Sequence, residues 1–239
     1  MVINSENSNN EINELNKSIL DHIYRYRMST PAIIQKLFLK DLSIQDVNKY
    51  LKKLKHIGYI GNAQLTPYEY YYFLTEEAAQ SFYSKTGKQF AGFLSAHYLS
   101  NAYAMLMFCC NDDENKRQKF TLDEIQSSVF YADNIGANKY YSEIIDGKDM
   151  IGEIKLDTGF NYRRVDQRVG SIIKKKLKFD NWQLIIHEGH YMITIITPWE
   201  KKAEKLREAI QVARQQNRYG MDLPVQINVC LIKSLEHLV

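Results

Sequence analysis

Glu153 and Lys155 stand two apart in the run Asp149 to Asp157, DMIGEIKLD. Alternation along a strand puts 149, 151, 153, 155 and 157 on one face and turns Met150, Ile154 and Leu156 to the other. A carboxylate beside a lysine on a sheet, joined by a second acid from the preceding strand, can hold Mg²⁺ or Mn²⁺ against a phosphodiester. The acids bind the metal, and the lysine orients the attacking water or offsets charge on the phosphorane. Asp133, Glu143 and Asp146 compete as the second acid. Register separates two cases: a two-residue Asp146-Gly147 turn pairs Glu143 with Met150 and puts it on the wrong face, whereas a three-residue loop pairs it with Ile151 and brings it beside Glu153. Glu143 is preferred, with Asp133, in the run VFYADN, as the alternative. Taken alone, E-x-K is also what any solvent-facing strand displays.

Cations follow this strand closely. Arg163, Arg164 and Arg168, then Lys174, Lys175, Lys176 and Lys178, fit either a grip on a DNA backbone or a solvated basic helix. His187 and His190, in HEGH, lack both an HExxH frame and a nearby cysteine, so an exposed pair is expected there and no zinc. His97, inside the apolar run FLSAHYLSNAYAMLMFCC, reads as a core histidine.

These residues must be carried by regular elements. Lys139 to Ile145 and Asp149 to Asp157 read as strands around Asp146-Gly147, a hairpin dipeptide. Phe90 to Cys110 suits a helix buried between layers, and Asn111 to Lys119 an exposed loop. Gln167 to Lys178 reads as a basic helix. Trp182 to Ile186 and Tyr191 to Thr197 read as strands, Lys201 to Gln216 as a helix, and Val225 to Ile232, apolar on both sides, as a central strand. The sum is an α/β layered domain on a mixed sheet.

The first third reads differently. Apolar residues at helical spacing give helices from about Asn10 to Arg27, from Pro31 behind a Thr30 cap, and from Ser43 to a Gly58 stop. The outer face of the third helix carries Gln45, Asn48, Lys49, Lys52, Lys53 and His56, long cations and amides able to reach phosphates and base edges. Tyr59 to Gln64 and Tyr68 to Leu74 then form a hairpin around Pro67, and a short helix opens at Thr75. Three helices and a hairpin predict a winged helix-turn-helix, a fold that also serves as a protein-docking module. The tyrosines from 68 to 72 either stack on bases or pack the strand, and packing is the commoner use.

Composition bounds the rest. Of 239 residues, 45% are hydrophobic and 25% charged, a globular balance, and only 11 Gly and 4 Pro interrupt it. The longest apolar run, Tyr103 to Cys110, is far short of the about 18 residues of a spanning helix. No secretory leader opens the chain, so a cytoplasmic protein with no membrane partner is expected. The three cysteines, Cys109, Cys110 and Cys230, show no CxxC spacing and are expected to be reduced. A net charge of +3 is too small to imply a nucleic-acid partner without the clustering.

The order of parts resembles the plasmid replication-relaxation proteins and the MobC-type mobilisation relaxases. The likeness is carried by ILDHIYRYRMSTPAIIQKLF with SIQDVNKYLKKLKHIGYI, by YEYYYFLTEEAAQSFY, by LSAHYLSNAYAMLMF and by IGEIKLD, together spanning roughly Ile12 to Ile196. It implies a flexible tail over 1–9, a winged-helix DNA-binding domain over 10–86, and a restriction-endonuclease-like domain of the PD-(D/E)xK kind over 87–239. It also implies a Mg²⁺- or Mn²⁺-dependent nicking activity on double-stranded DNA at a plasmid transfer origin, with relaxosome or coupling proteins as partners. Glu153 would match the acid of the second catalytic strand and Lys155 the position two further on. Ahead of them stand only Ala132-Asp133 and Ser142-Glu143, with no Pro-Asp dipeptide. The competing expectation is a non-catalytic winged-helix regulator or relaxosome accessory protein. Oligomeric state is left open, since no heptad argues for a dimer.

Overall fold

A computed structural model describes residues 13–83, 91–111, 116–128, 139–157, 164–218 and 223–239. Asp133 and Arg163 lie outside the described residues. The chain divides into two compact units, Met1–Phe93 and Leu94–Val239, a few residues beyond the boundary expected at 86/87. Among the described residues no helix is long and apolar enough to cross a membrane.

In the first unit, α1 (Glu14–Tyr26), α2 (Pro31–Phe38) and α3 (Ile44–His56) each begin where the capping chemistry places them. Asn13, Thr30 and Ser43 accept the backbone N–H of Asn16, Ile33 and Asp46. Helix α3 ends at Gly58, whose φ of 91° is open only to residues tolerant of the left-handed region. There Tyr59 N–H donates to Leu54 C=O at 3.1 Å and Gly58 N–H to Lys55 C=O at 3.0 Å, the bonding of a Schellman stop. An antiparallel pair follows, β1 (Ile60–Thr66) and β2 (Glu69–Leu74), then α4 (Glu76–Phe82). Ser29, between α1 and α2, bridges to Tyr72 through two backbone hydrogen bonds of 2.8 and 2.9 Å, adding a third extended segment to the hairpin. Ile19, Ile23, Ile34, Val47, Leu51 and Leu74 fill the core between these elements.

The buried residues of this unit include a histidine. His22, on the buried face of α1, has its Nε2 2.9 Å from Ser29 Oγ, and burial, helped by Arg25, lowers its pKa to about 3. The fold therefore holds the neutral ring, while the unfolded chain takes up a proton below about pH 6.5. Stability contributed here is full above that pH and is lost progressively as pH falls toward 3. Between pH 7 and 5 the cost is about 2 kcal/mol. Urea unfolding at the two pH values should show that loss in the wild type and a smaller one in His22→Gln.

The second unit is built on a five-stranded sheet of order β3-β4-β5-β6-β7. Its described elements are α5 (Ala96–Cys110), β3 (Arg117–Lys119), α6 (Leu122–Gln126), β4 (Tyr140–Ile145), β5 (Lys148–Leu156), α7 (Val165–Lys176), α8 (Asp180–His187), β6 (Tyr191–Thr197), α9 (Glu200–Gln215) and β7 (Gln226–Leu231). Strands β3, β4 and β5 form an antiparallel meander, and β6 and β7 continue it in parallel with β5. One face, bearing Tyr140, Tyr191, Ile193 and Ile195, packs against α7, α8 and α9 through Val169, Ile173, Trp182 and Leu206. On the opposite face Tyr141 meets Phe108 of α5 edge-on, with ring centroids 4.9 Å apart. The mixed sheet expected from the sequence is present.

Several expectations are corrected. Residues 182–186 belong to helix α8, not to a strand: Trp182, Ile185 and Ile186 are buried at helical spacing while Leu184 points outward. His187 and His190 therefore flank a helix end, and His190 Nδ1 lies 2.8 Å from Asp149 C=O. Strand β7 is an edge, not a centre. Ile227 and Val229 pack partly buried against the core while Asn228 is exposed, and Arg207 and Arg214 of α9 donate to the carbonyls of Val229 at 3.1 Å and of Val225, just before the strand, at 2.6 Å. His97 is exposed in the first turn of α5 rather than in the core, because that helix starts at Ala96. The polar run expected as a loop contributes β3, with Lys119 buried. Cys109 and Cys110 are buried free thiols, and Cys230 is a partly buried one.

Candidate functional site

Two places gather the residues singled out by the sequence. On α3, Val47, Leu51 and Leu54 face the core, so Gln45, Lys49, Lys52, Lys53 and His56 are exposed and Asn48 half-buried. Lys49 lies 2.8 Å from the Asp46 carboxylate, an exposed pair worth little. Lys52 and Lys53 point to solvent. The hairpin beside this helix buries Tyr71 and Tyr72, which lie on opposite faces of β2, while Tyr68 at the turn is 97% exposed and Tyr70 is 51% exposed. Packing thus accounts for half of the run only.

The second place is Glu153. Strand β5 places it on the face covered by α7 to α9, and it is 1% exposed. Three ammonium groups surround it. Lys139 and Lys155 donate to Oε1 at 3.0 and 2.6 Å, and Lys176, from the last turn of α7, donates to Oε2 at 3.0 Å. Tyr191 O–H donates to Oε2 at 2.8 Å, and Lys176 also donates to Tyr140 Oη at 2.7 Å. The Lys176 ammonium lies 3.5 Å from the Trp182 ring centroid, with the Tyr140 and Tyr191 rings at 4.5 and 5.0 Å.

The electrostatics follow from this enclosure. Burial alone would raise the Glu153 pKa, but Lys176, Lys139 and Lys155 outweigh it and hold the carboxyl well below the usual carboxylate range. Burial lowers Lys176 to about 8 against the opposing pull of Glu153, and the two neighbouring lysines push it the same way. Burial and the Glu153 charge raise the Tyr140 and Tyr191 hydroxyls above their ordinary value.

Among the described residues no second acid joins Glu153. Ile145 pairs with Lys148, and both residues of the intervening turn have positive φ, 50° at Asp146 and 76° at Gly147, as a two-residue type I′ turn requires. Glu143 consequently pairs with Met150, faces away from Glu153 and binds Arg117 at 2.9 Å. Asp146 sits in the turn at the far end of β5. Asp157 shares the Glu153 face four residues on, buried and 2.9 Å from Lys202. Among the described residues no group of three His, Cys, Asp or Glu could hold a metal ion. Mg²⁺ and Mn²⁺ need several oxygen ligands, whereas one carboxylate with both oxygens engaged and three cations around it repels a divalent ion. The residues at Glu153 do not fit the metal.

Of the basic residues after the strand, Arg164 and Arg168 are exposed at the start of α7, as are Lys174 and Lys175 at its end and Lys178 beyond it. Among the described residues of that run, only Lys176 turns inward. The sequence reading placed Lys176 with the basic cluster and missed its place at Glu153, and it missed Lys139, Tyr140, Trp182 and Tyr191 there as well. The signal was present: Val165, Val169, Ile173 and Lys176 recur at i, i+4, i+8 and i+11, which places the lysine on the apolar stripe of its own helix. Tyr140 was reachable by the register argument, since a two-residue turn pairs it with Glu153. No protein family, curated protein or solved structure matches this chain.

Proposed function

We propose that this chain is a duplex-DNA-binding protein whose first unit is a winged helix-turn-helix, and whose second unit is a restriction-endonuclease-like sheet without a metal-dependent nicking centre at Glu153. The observation that carries the reading is the dress of α3: its buried face is wholly apolar and its exposed face presents Gln45, Lys49, Lys52, Lys53 and His56. The segment at Ser29 bridged to Tyr72 supports it, since it joins the interval between α1 and α2 to the hairpin as the winged architecture demands. In this reading α3 enters the major groove, Gln45 and Asn48 near its start read base edges, and the lysines and exposed Tyr68 hold the backbone alongside. The resemblance to replication-relaxation and MobC-type proteins adds a site-recognition role in a plasmid nucleoprotein assembly, performed as an accessory or regulator.

The nicking expectation loses its support in the charge at Glu153, where a carboxylate encased by three ammoniums serves as their counterion. DNA binding is tested by fluorescence anisotropy on a labelled duplex across a salt series. Changing Lys49, Lys52 and Lys53 together to alanine is expected to lower affinity by roughly a hundredfold or more at low salt, and to flatten the log–log salt slope by about 0.9 for each phosphate no longer neutralised. An unchanged slope would remove α3 from the interface.

A further inference from the structure

We propose that Lys139 and Lys155, held in place by the buried Glu153, form a phosphate-binding site in the second unit, at the point where the E-x-K pattern suggested a divalent cation. The site stands independently of the α3 reading.

Charge makes the first argument. Three ammoniums meet one carboxylate within 3.0 Å, which among the described residues leaves two positive charges in excess around a side chain that is 1% exposed. The three cations do not share one role. Lys176 is sealed beneath Trp182, Tyr140 and Tyr191, so it neutralises Glu153 from the interior. Lys139 and Lys155 meet the other oxygen from the outer side, with side chains 44% and 28% exposed. The excess charge is therefore presented to solvent.

Donor accounting makes the second. An ammonium has three N–H groups. Among the described residues the only carboxylate that Lys139 or Lys155 engages is Glu153, each at Oε1. Both keep donors for an incoming anion, and because they share one oxygen they lie close enough for one phosphate to bridge them. A fixed, buried counterion also orders two side chains that would otherwise lose rotamer freedom on binding, so their entropy is spent in folding rather than at the encounter. A phosphate carries the charge that balances the excess, whether it is free or part of a nucleic-acid backbone.

Isothermal titration of the full chain with inorganic phosphate, against chloride at matched ionic strength, tests the free anion. Anisotropy on a duplex, with the α3 lysines intact, tests the backbone. Lys139→Gln is the informative variant because it leaves two ammoniums on Glu153 and so spares the fold, which a thermal melt verifies; Lys201→Gln on α9 is the control. Saturable phosphate binding weakened at least roughly tenfold in Lys139→Gln, as loss of a charge-assisted hydrogen bond implies, and unchanged in Lys201→Gln, establishes a general phosphate site. If inorganic phosphate does not bind but duplex affinity and salt slope fall in Lys139→Gln, the site takes a backbone phosphate only. If neither measurement responds, the proposal is overturned and the lysines serve the fold alone. Loss of duplex binding on changing α3 with phosphate binding retained separates this site from the winged-helix reading.

Discussion

Glu153→Ala should destabilise the second unit by about 3–5 kcal/mol, the range for removing one partner of a buried ion cluster. Three ammoniums would remain around an empty position, two of them with no other carboxylate partner among the described residues, and the Tyr191 hydroxyl would lose its acceptor. With about 2–4 °C of melting temperature per kcal/mol in a unit of this size, the transition should move by ten degrees or so. An acidic metal centre would respond in the opposite sense, because neutralising one of several crowded carboxylates relieves repulsion when no metal is bound. Melting temperature therefore separates the two readings without any nuclease assay. The pH dependence agrees in sign. The cluster depresses the Glu153 pKa, so its contribution is complete above the unfolded value of about 4.3 and is lost as pH falls below it. Glu153→Gln should flatten that acid limb, and a variant as stable as the wild type would show that the carboxylate does not hold the lysines.

Gly152→Ala is expected to be at least as damaging, for a steric reason. Gly152 pairs with Tyr141 across β4 and β5, and the tyrosine ring lies flat over the missing side chain. A Cβ there would meet three ring atoms at 2.0, 2.2 and 2.5 Å. The ring has no room to retreat, because Tyr141 is fully buried, its edge rests against Phe108, and its hydroxyl is 2.6 Å from Thr194 Oγ1. One methyl group should then exceed the roughly 1–3 kcal/mol of ordinary overpacking, since the strand backbone itself must shift. Chemical denaturation would measure it. Shrinking the ring in a Tyr141→Val, Gly152→Ala double variant should recover part of the loss, and additive losses would contradict the steric account.

The two expectations come from neighbouring positions on β5, and they mark how far the sequence could be read. Period-two alternation separated Glu153 and Lys155 from Met150, Ile154 and Leu156 correctly, and the Asp146-Gly147 dipeptide marked the hairpin while leaving the length of its turn open. Caps at Thr30, Ser43 and Thr75 likewise marked where α2, α3 and α4 begin, because a side chain accepting an N–H three residues on is a local event. What alternation cannot say is what covers a face. Glu153 reads equally as solvent-facing or core until α7 brings Lys176 over it, and that pairing joins residues 23 apart in sequence. The preference for Glu143 rested on a three-residue loop, and the two-residue turn sends it to the other side. Strand β7 shows the same limit: a run of apolar residue types does not say whether a strand has a neighbour on each edge, and β7 is an edge strand with Asn228 exposed. Helix α8 was misread for a different reason: tryptophan and two isoleucines within five residues favour a strand by type, while their i, i+3, i+4 spacing favours the helix that tertiary burial selects.

Incubation with supercoiled plasmid in Mg²⁺ and in EDTA, with each sample run before and after protease digestion, tests the central claim most directly. Retarded plasmid is expected in both conditions, abolished when Lys49, Lys52 and Lys53 are changed to alanine, with fully supercoiled DNA once the protein is digested. Metal-dependent open circle that disappears in Glu153→Gln, with that variant still folded, would contradict it and place a nicking centre on β5.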